Sequence, residues 1–326
     1  MKRGNSMDIY FLEEIGFQHL SIDRFLPEKI TLRDGHPALL WLDTETNHGV
    51  LDAEYWVPES HYEHNYRSAA SGNYDGERCT PEYHVESYRS LDKQQFSRVA
   101  PLLRPDSKVL EIGCSYGGVL KEVVRFGVDV CHAVEPNKED ARFVKSSIPE
   151  VNLIEDLFLD ADLPESYYDV ILSFQVMEHV PSPRRFLEKI HALLKQGGSV
   201  HIEVPNHNAA LLRNYKEARH SIFYYHKHHI HYFSVQSLNR LCHFCGFKGE
   251  VTTDSMYSFF NHVYWHFNKK PQKTAAVALN TPDPADNLTD AGRSINEFYK
   301  NVEMEYGKLV RQHGAGDILI CQGTKI

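Results

Sequence analysis

No run of apolar residues in this chain reaches the roughly 18 that a membrane-spanning helix needs. Its start, Met1 to Leu12, has no basic segment followed by an apolar stretch and a cleavage site, so no signal peptide is expected. The six cysteines, at 79, 114, 131, 242, 245 and 321, are scattered and not framed for disulfides. Together these absences favour a reduced, cytoplasmic setting. Dense Lys/Arg clusters are also missing, and the net charge is −9, which argues against a nucleic-acid partner. Nor is there an internal repeat.

The 326 residues are 42% hydrophobic, enough to bury one large domain with an appendage. Residues 1–85 are irregular and aromatic-rich, with Trp41, Tyr55, Trp56, Tyr62, Tyr66 and Tyr74 among turn formers and acids. They are expected to form an N-terminal extension, either a small β-rich unit or a lid. The main domain is placed at 86–326. It begins in a helical stretch, Ser87 to Leu103. Short Val/Ile-rich runs then alternate with amphipathic segments: strands at 108–112, 128–134, 151–154, 168–174 and 199–204, helices at 117–126, 138–147 and 183–195. Such alternation predicts an α/β fold, a mostly parallel sheet with helices on both faces. A further helix, 235–245, ends at Gly246, and 249–255 reads as another strand. Residues 256–316 are expected to be an insertion before the last strand. Its part 269–292 reads as a mobile loop, and its long helix carries Ile295, Phe298, Val302, Tyr306 and Leu309 on one apolar face. The closing run, 317–322, reads as an edge strand.

The chemistry starts at Val109-Leu-Glu-Ile-Gly-Cys-Ser-Tyr-Gly117. A strand enters a small-residue turn and then a helix, where backbone can approach a ligand and free N–H groups await it. Three readings compete: a dinucleotide site from Gly113, Ser115 and Gly118; a hydrolase elbow with Ser115 as nucleophile; and a loop for S-adenosylmethionine (SAM). Glu111 favours the third, because a carboxylate at that strand end can fix the turn and meet a cationic amino group. The dinucleotide site ranks second and the serine hydrolase third. Glu135 ends the next strand 24 residues later, close to the spacing at which such folds hold ribose hydroxyls.

On these stretches, together with Val134-Glu-Pro136, Tyr168–Val180 and Gly197–Asn206, the chain resembles the class I SAM-dependent methyltransferases over residues 85–326. The resemblance implies a Rossmann-like, seven-stranded, mostly parallel sheet whose last strand is antiparallel. It also implies SAM as cofactor, with S-adenosylhomocysteine (SAH) as product. Glu111, Gly113, Ser115 and Gly117 would cradle the methionine end; Glu135 with Pro136 would hold the ribose. Asp156 would accept from the adenine amino group, Leu157 would pack the ring, and Gln175 would face the transfer site. His228-His-Ile-His-Tyr-Phe-Ser234 is similar to a segment of sugar methyltransferases, including the sugar C-methyltransferases, in which a histidine acts as base. His229 is the best match and His231 the next. The chain departs from the C-methyltransferases in lacking Cys pairs for their zinc and in having too short a portion after the core.

The acceptor is therefore expected to be a small molecule, either a sugar or a nucleotide-sugar derivative. A catalytically silent SAM binder or scaffold is the alternative. No metal is expected: the histidines at 220, 226, 228, 229 and 231 have no carboxylate or Cys at a fixed offset among them. Cys242 and Cys245 read as small core residues, and His61 and His64 as surface residues with Tyr62 and Tyr66 as part of a lid.

Overall fold

The computed structural model describes residues 22–64 and 80–326. Eleven strands among them form two sheets. The larger sheet holds β4 (Lys108–Ile112), β5 (Val130–Val134), β6 (Asn152–Ile154), β7 (Tyr168–Phe174), β8 (Leu194–Pro205), β10 (Phe247–Asp254) and β11 (Ile318–Lys325). Its order is β10-β11-β8-β7-β4-β5-β6. Strands β4 to β8 run parallel to one another, and β11 runs antiparallel to both β8 and β10. The strand order reverses at β4, where ligands collect in open α/β sheets.

Alternation along β4 sends Val109 into the core on one face and Leu110 and Ile112 into the core on the other. Helices cover both faces, so every central strand is buried twice and reads as an unbroken apolar run. The longer helices are α1 (Pro81–Val99), α2 (Gly118–Phe126), α3 (Lys138–Ser147), α4 (Pro183–Leu193), α5 (Val235–Phe244), α6 (Phe259–Asn268) and α7 (Asp290–Gln312). Their ends follow from local chemistry. Thr80 caps α1 by accepting from the Tyr83 N–H, with Pro81 at the first helical position. A capping box of Ser234 and Ser237 starts α5, and Gly246 follows it with φ 84°.

Three expectations are corrected. The closing strand lies inside the sheet, not at its edge, because β10 adds outside it. The 269–292 segment contains a helix, Ala275–Leu279, capped by Thr274. The apolar stripe of α7 is split: Tyr306 packs inward, whereas Ile295, Phe298 and Leu309 are 47%, 63% and 52% exposed. The helix buries Asn296, Gly307 and Val310 instead. Polar bonds explain this: Asn296 binds the backbone of Ala285 in both directions, and Glu303 accepts from the Phe259 N–H.

The smaller sheet, order β1-β2-β3-β9, joins β1 (Phe25–Thr31), β2 (Pro37–Asp43) and β3 (Gly49–Leu51) to β9 (His231–Tyr232). Its last strand thus comes from the histidine-rich segment, which ties the N-terminal residues to the candidate site. The described cysteines, 114, 131, 242, 245 and 321, are buried and free. Cys79, Tyr66 and Tyr74 lie outside the described residues. No helix among those described is long and apolar enough to cross a membrane.

A buried network fixes α1 to the sheet. Glu203 on β8 is fully buried and accepts from Arg98, Gln95 and His201 at 2.9, 3.2 and 3.0 Å. Arg98 also pairs with Asp254 of β10 at 2.8 Å. Burial alone would raise the Glu203 pKa, but the His201 hydrogen bond and the Arg98 charge hold it below the usual range.

Candidate active site

A cavity of about 960 Å³ opens at the carboxyl ends of β4, β5 and β7. The loop after β4 forms its floor. Gly113, Ser115 and Gly117 have φ of 71°, 52° and 75°, a left-handed path that suits glycine and strains serine. A methyl group on Gly113 would overlap Val176, and one on Gly118 would overlap the Asp92 carboxylate. Close packing of three elements thus needs these glycines.

Glu135 organises the loop. Its Oε2 accepts from the Ser115 N–H at 2.8 Å and its Oε1 from the Asn137 N–H at 2.9 Å. A carboxylate oxygen can accept more than one hydrogen bond, which suits this group to ligand hydroxyls. Glu111 is buried and lines the cavity, and its Oε2 has no hydrogen-bond partner among the described residues. Burial, then the charges of Asp92 and Glu135, push its pKa well up. Gln175, at φ 56°, also lines the cavity and leaves its buried Nε2 without an acceptor. An orphaned carboxylate oxygen and an orphaned amide donor facing one cavity fit a ligand that carries both a cation and acceptors.

Of the other expected residues, Pro136 and Leu157 line the cavity. Asp156 is exposed and accepts from its own neighbour, the Leu157 N–H, at 2.8 Å; the cavity wall carries Asp160 instead. His231 also lies off the wall: its Nδ1 meets His48 Nε2 at 3.3 Å, and its ring stacks on Phe233. His229 stands behind the wall, its ring centroid 4.8 Å from that of His179. His179 reaches the cavity from the turn after β7, and His84 lines it from α1. Tyr62 lines the cavity too, and its hydroxyl donates to the His228 carbonyl at 3.1 Å. His61 is partly buried and pairs with His228 at 3.0 Å, which corrects its reading as a surface residue.

Sequence reasoning missed Asp92, which lines the cavity from α1. Burial, then the charge of Glu122, raises its pKa to about 7. The signal available was its place beside the polar Ser87 and Gln95, which α1 buries. A cationic ligand favours the ionised form of such a carboxyl, so its binding should release protons near and below pH 7. Calorimetry with SAM in two buffers of different ionisation enthalpy should show this release, and Asp92→Asn should reduce it. A buffer-independent enthalpy at pH 6.5 would contradict the placement of the cation beside Asp92.

Residues 85–251, about half of the chain, match the family described as Methyltransferase domain. A protein described as Probable S-adenosylmethionine-dependent methyltransferase, from Mycobacterium tuberculosis, is 31% identical over 134 residues, covering 40% of this chain and 47% of that protein. The Ubiquinone biosynthesis O-methyltransferase of Pectobacterium atrosepticum is 30% identical over 106 residues, covering 31% of this chain and 44% of the enzyme. The chain thus spans about half the length of the curated relatives it matches. Among solved structures, a SAM-dependent methyltransferase from Thermotoga maritima superposes with a TM-score of 0.51 at 18% identity, over 80% of this chain and 98% of that one, which speaks for the fold. The family match covers the loop, Glu111, Glu135 and strands β4 to β8: the chain belongs to the methyltransferase-domain family, with the class I SAM-dependent methyltransferase fold.

Proposed function

We propose that the protein transfers a methyl group from SAM to a small-molecule acceptor bearing hydroxyl groups, a sugar or sugar derivative in the favoured case. The observation that carries this reading is the pair of unpartnered buried groups, Glu111 Oε2 and Gln175 Nε2, facing one cavity at the β4 switch point. When bound, SAM supplies a sulfonium methyl open to in-line attack. Glu111 and the 113–117 loop would hold the amino-acid end, and Glu135 the ribose. Leu157 would pack on the base, and Gln175 would orient the groups around the transferred methyl. At 960 Å³ the cavity stands at the upper end of small-molecule sites, roughly 300–1,000 Å³, so it has room for cofactor and acceptor together. Alignment of the two is the protein's main contribution to rate.

Activation of the acceptor oxygen is assigned to the group formed by Glu178, His179 and His229, with His179 at the cavity. His229 stays in this reading as a member of that group, and His231 leaves it. The name of the Pectobacterium relative, an O-methyltransferase, supports oxygen as the attacking atom. Incubation with SAM and a panel of hydroxylated small molecules, reading SAH formation, tests the proposal. Stimulation by a sugar-like acceptor is expected; SAH formation with none of the panel counts against the acceptor class.

Glu135→Ala should weaken SAH binding by about 1.5–3 kcal/mol, or roughly 10- to 150-fold, the size of a lost charge-assisted hydrogen bond. Calorimetry checks it. Unchanged affinity would remove Glu135 from the cofactor site.

A further inference from the structure

Glu178 presents an unusual arrangement. Its carboxylate is fully buried in the 3-10 turn Met177–His179, and neither oxygen has a hydrogen-bond partner among the described residues. Leaving a carboxylate so unsatisfied is costly, and proteins resolve such groups with a proton, a paired cation or a metal. Two imidazoles stand against it. His229 Nε2 lies 3.8 Å and His179 Nε2 3.9 Å from Glu178 Oε1. One ligand atom from each of the three residues falls within 4.8 Å of the others.

The sequence reading set a metal aside because the histidine-rich loop carries no carboxylate at a fixed offset. The fold supplies that carboxylate from a segment about fifty residues earlier. The Ile230 N–H donates to the Glu178 carbonyl at 2.8 Å, which lays the loop along the turn. His179 Nδ1 bonds the His228 carbonyl at 2.8 Å. A carbonyl only accepts, so Nδ1 carries the proton and Nε2 keeps its lone pair on the side of Glu178. Metal-binding histidines are oriented by this kind of outer bond. His229 Nδ1 has no hydrogen-bond partner among the described residues.

We propose that Glu178, His179 and His229 bind one divalent transition-metal cation beside the cavity. The inference rests on the proposed function only for the role of the metal, not for its binding. Two imidazoles and one carboxylate suit zinc or a first-row neighbour, whereas magnesium prefers an all-oxygen shell. Bonds of about 2.0–2.2 Å are reached by small side-chain rotations that draw the three donors together. Three protein ligands leave a position open for an oxygen of the acceptor.

Co²⁺ is the probe. Tag-free full-length protein, stripped with chelator, is titrated with Co²⁺ by calorimetry and visible absorption, and with SAH in parallel. The wild type should take up one Co²⁺ per chain with a d–d absorption band. Glu178→Gln and His229→Ala should each weaken uptake at least about tenfold, the loss that removal of an outer-shell partner alone can cause. Both should still bind SAH, which shows that they are folded. His36→Ala, an exposed imidazole, should leave uptake unchanged. Absence of stoichiometric uptake by SAH-competent wild type overturns the proposal and leaves Glu178 as a protonated carboxyl only. Unchanged uptake in both site variants overturns it equally. Uptake of Co²⁺ without SAH binding would instead fail the proposed function and leave the metal site standing.

Discussion

Gly113→Val should lower SAH affinity at least about 30-fold, the largest loss expected from one substitution in the cofactor loop. Two costs combine. The residue sits at φ 71°, where a β-branched side chain is strained by roughly 1–3 kcal/mol. Its new side chain would also collide with Val176, and overpacking costs about 1–3 kcal/mol more. Relief requires the loop after β4 to separate from the segment after β7. That movement displaces Glu111 and Gln175, the two groups left for the ligand. Gly127→Ala separates strain from site geometry. Gly127 has φ 88°, yet nothing stands within 4 Å of an added methyl, and it lies at the far end of α2. It should lose about 1–2 kcal/mol of stability and no affinity. Calorimetric titration of the two variants checks the pair; equal affinity loss in both would locate the effect in general strain.

Arg98→Ala should cost about 3–5 kcal/mol of stability, because it takes the guanidinium away from a fully buried carboxylate, Glu203. Urea unfolding at pH 7 would show the midpoint falling at similar slope. The pH dependence has a definite sign. The folded-state pKa of Glu203 is lowered, so its stabilisation is present above the unfolded carboxylate pKa and disappears as pH falls through the lower folded value. The gap between wild type and variant should therefore narrow in acid. A gap that stays constant to pH 3 would mean that Arg98 acts by packing and not by charge. SAH affinity offers a second reading, since α1 also carries Asp92 to the cavity.

The central strands were legible because parallel strands buried on both faces become short unbroken apolar runs between glycine and acidic punctuation. Strands 108–112 and 168–174 match to the residue. The start of α1 was missed although Thr80-Pro81 is a cap and first-turn pair, since an aromatic-rich, weakly amphipathic stretch hid it. The closing strand looked like an edge because sequence order does not reveal that β10 adds outside β11. The α7 stripe misled for a different reason. Hydrophobic periodicity assumes that apolar residues decide the buried face, and here Asn296 and Glu303 decide it through backbone hydrogen bonds.

The candidate site divides along the same line. Glu111, Gly113, Ser115, Gly117 and Glu135 lie on one strand–turn–helix and the next strand end, so local sequence brings them together. Asp156 turned outward because its side chain satisfies its own backbone neighbour. The histidines were the least legible. Alternation along 228–231 does not tell which imidazole faces the cavity; none of that segment lines it, whereas His179, from a turn fixed by the Ile230–Glu178 bond, and His84 of α1 do. Asp92 and Tyr62 reach the cavity from elements upstream of the glycine loop, which no local pattern connects to it.

Isothermal titration of the purified chain with SAH and with NAD tests the central claim most directly. The account predicts one SAH bound per chain, competition by SAM and no heat from NAD. Binding of NAD without SAH would contradict it and return the glycine loop to the dinucleotide reading.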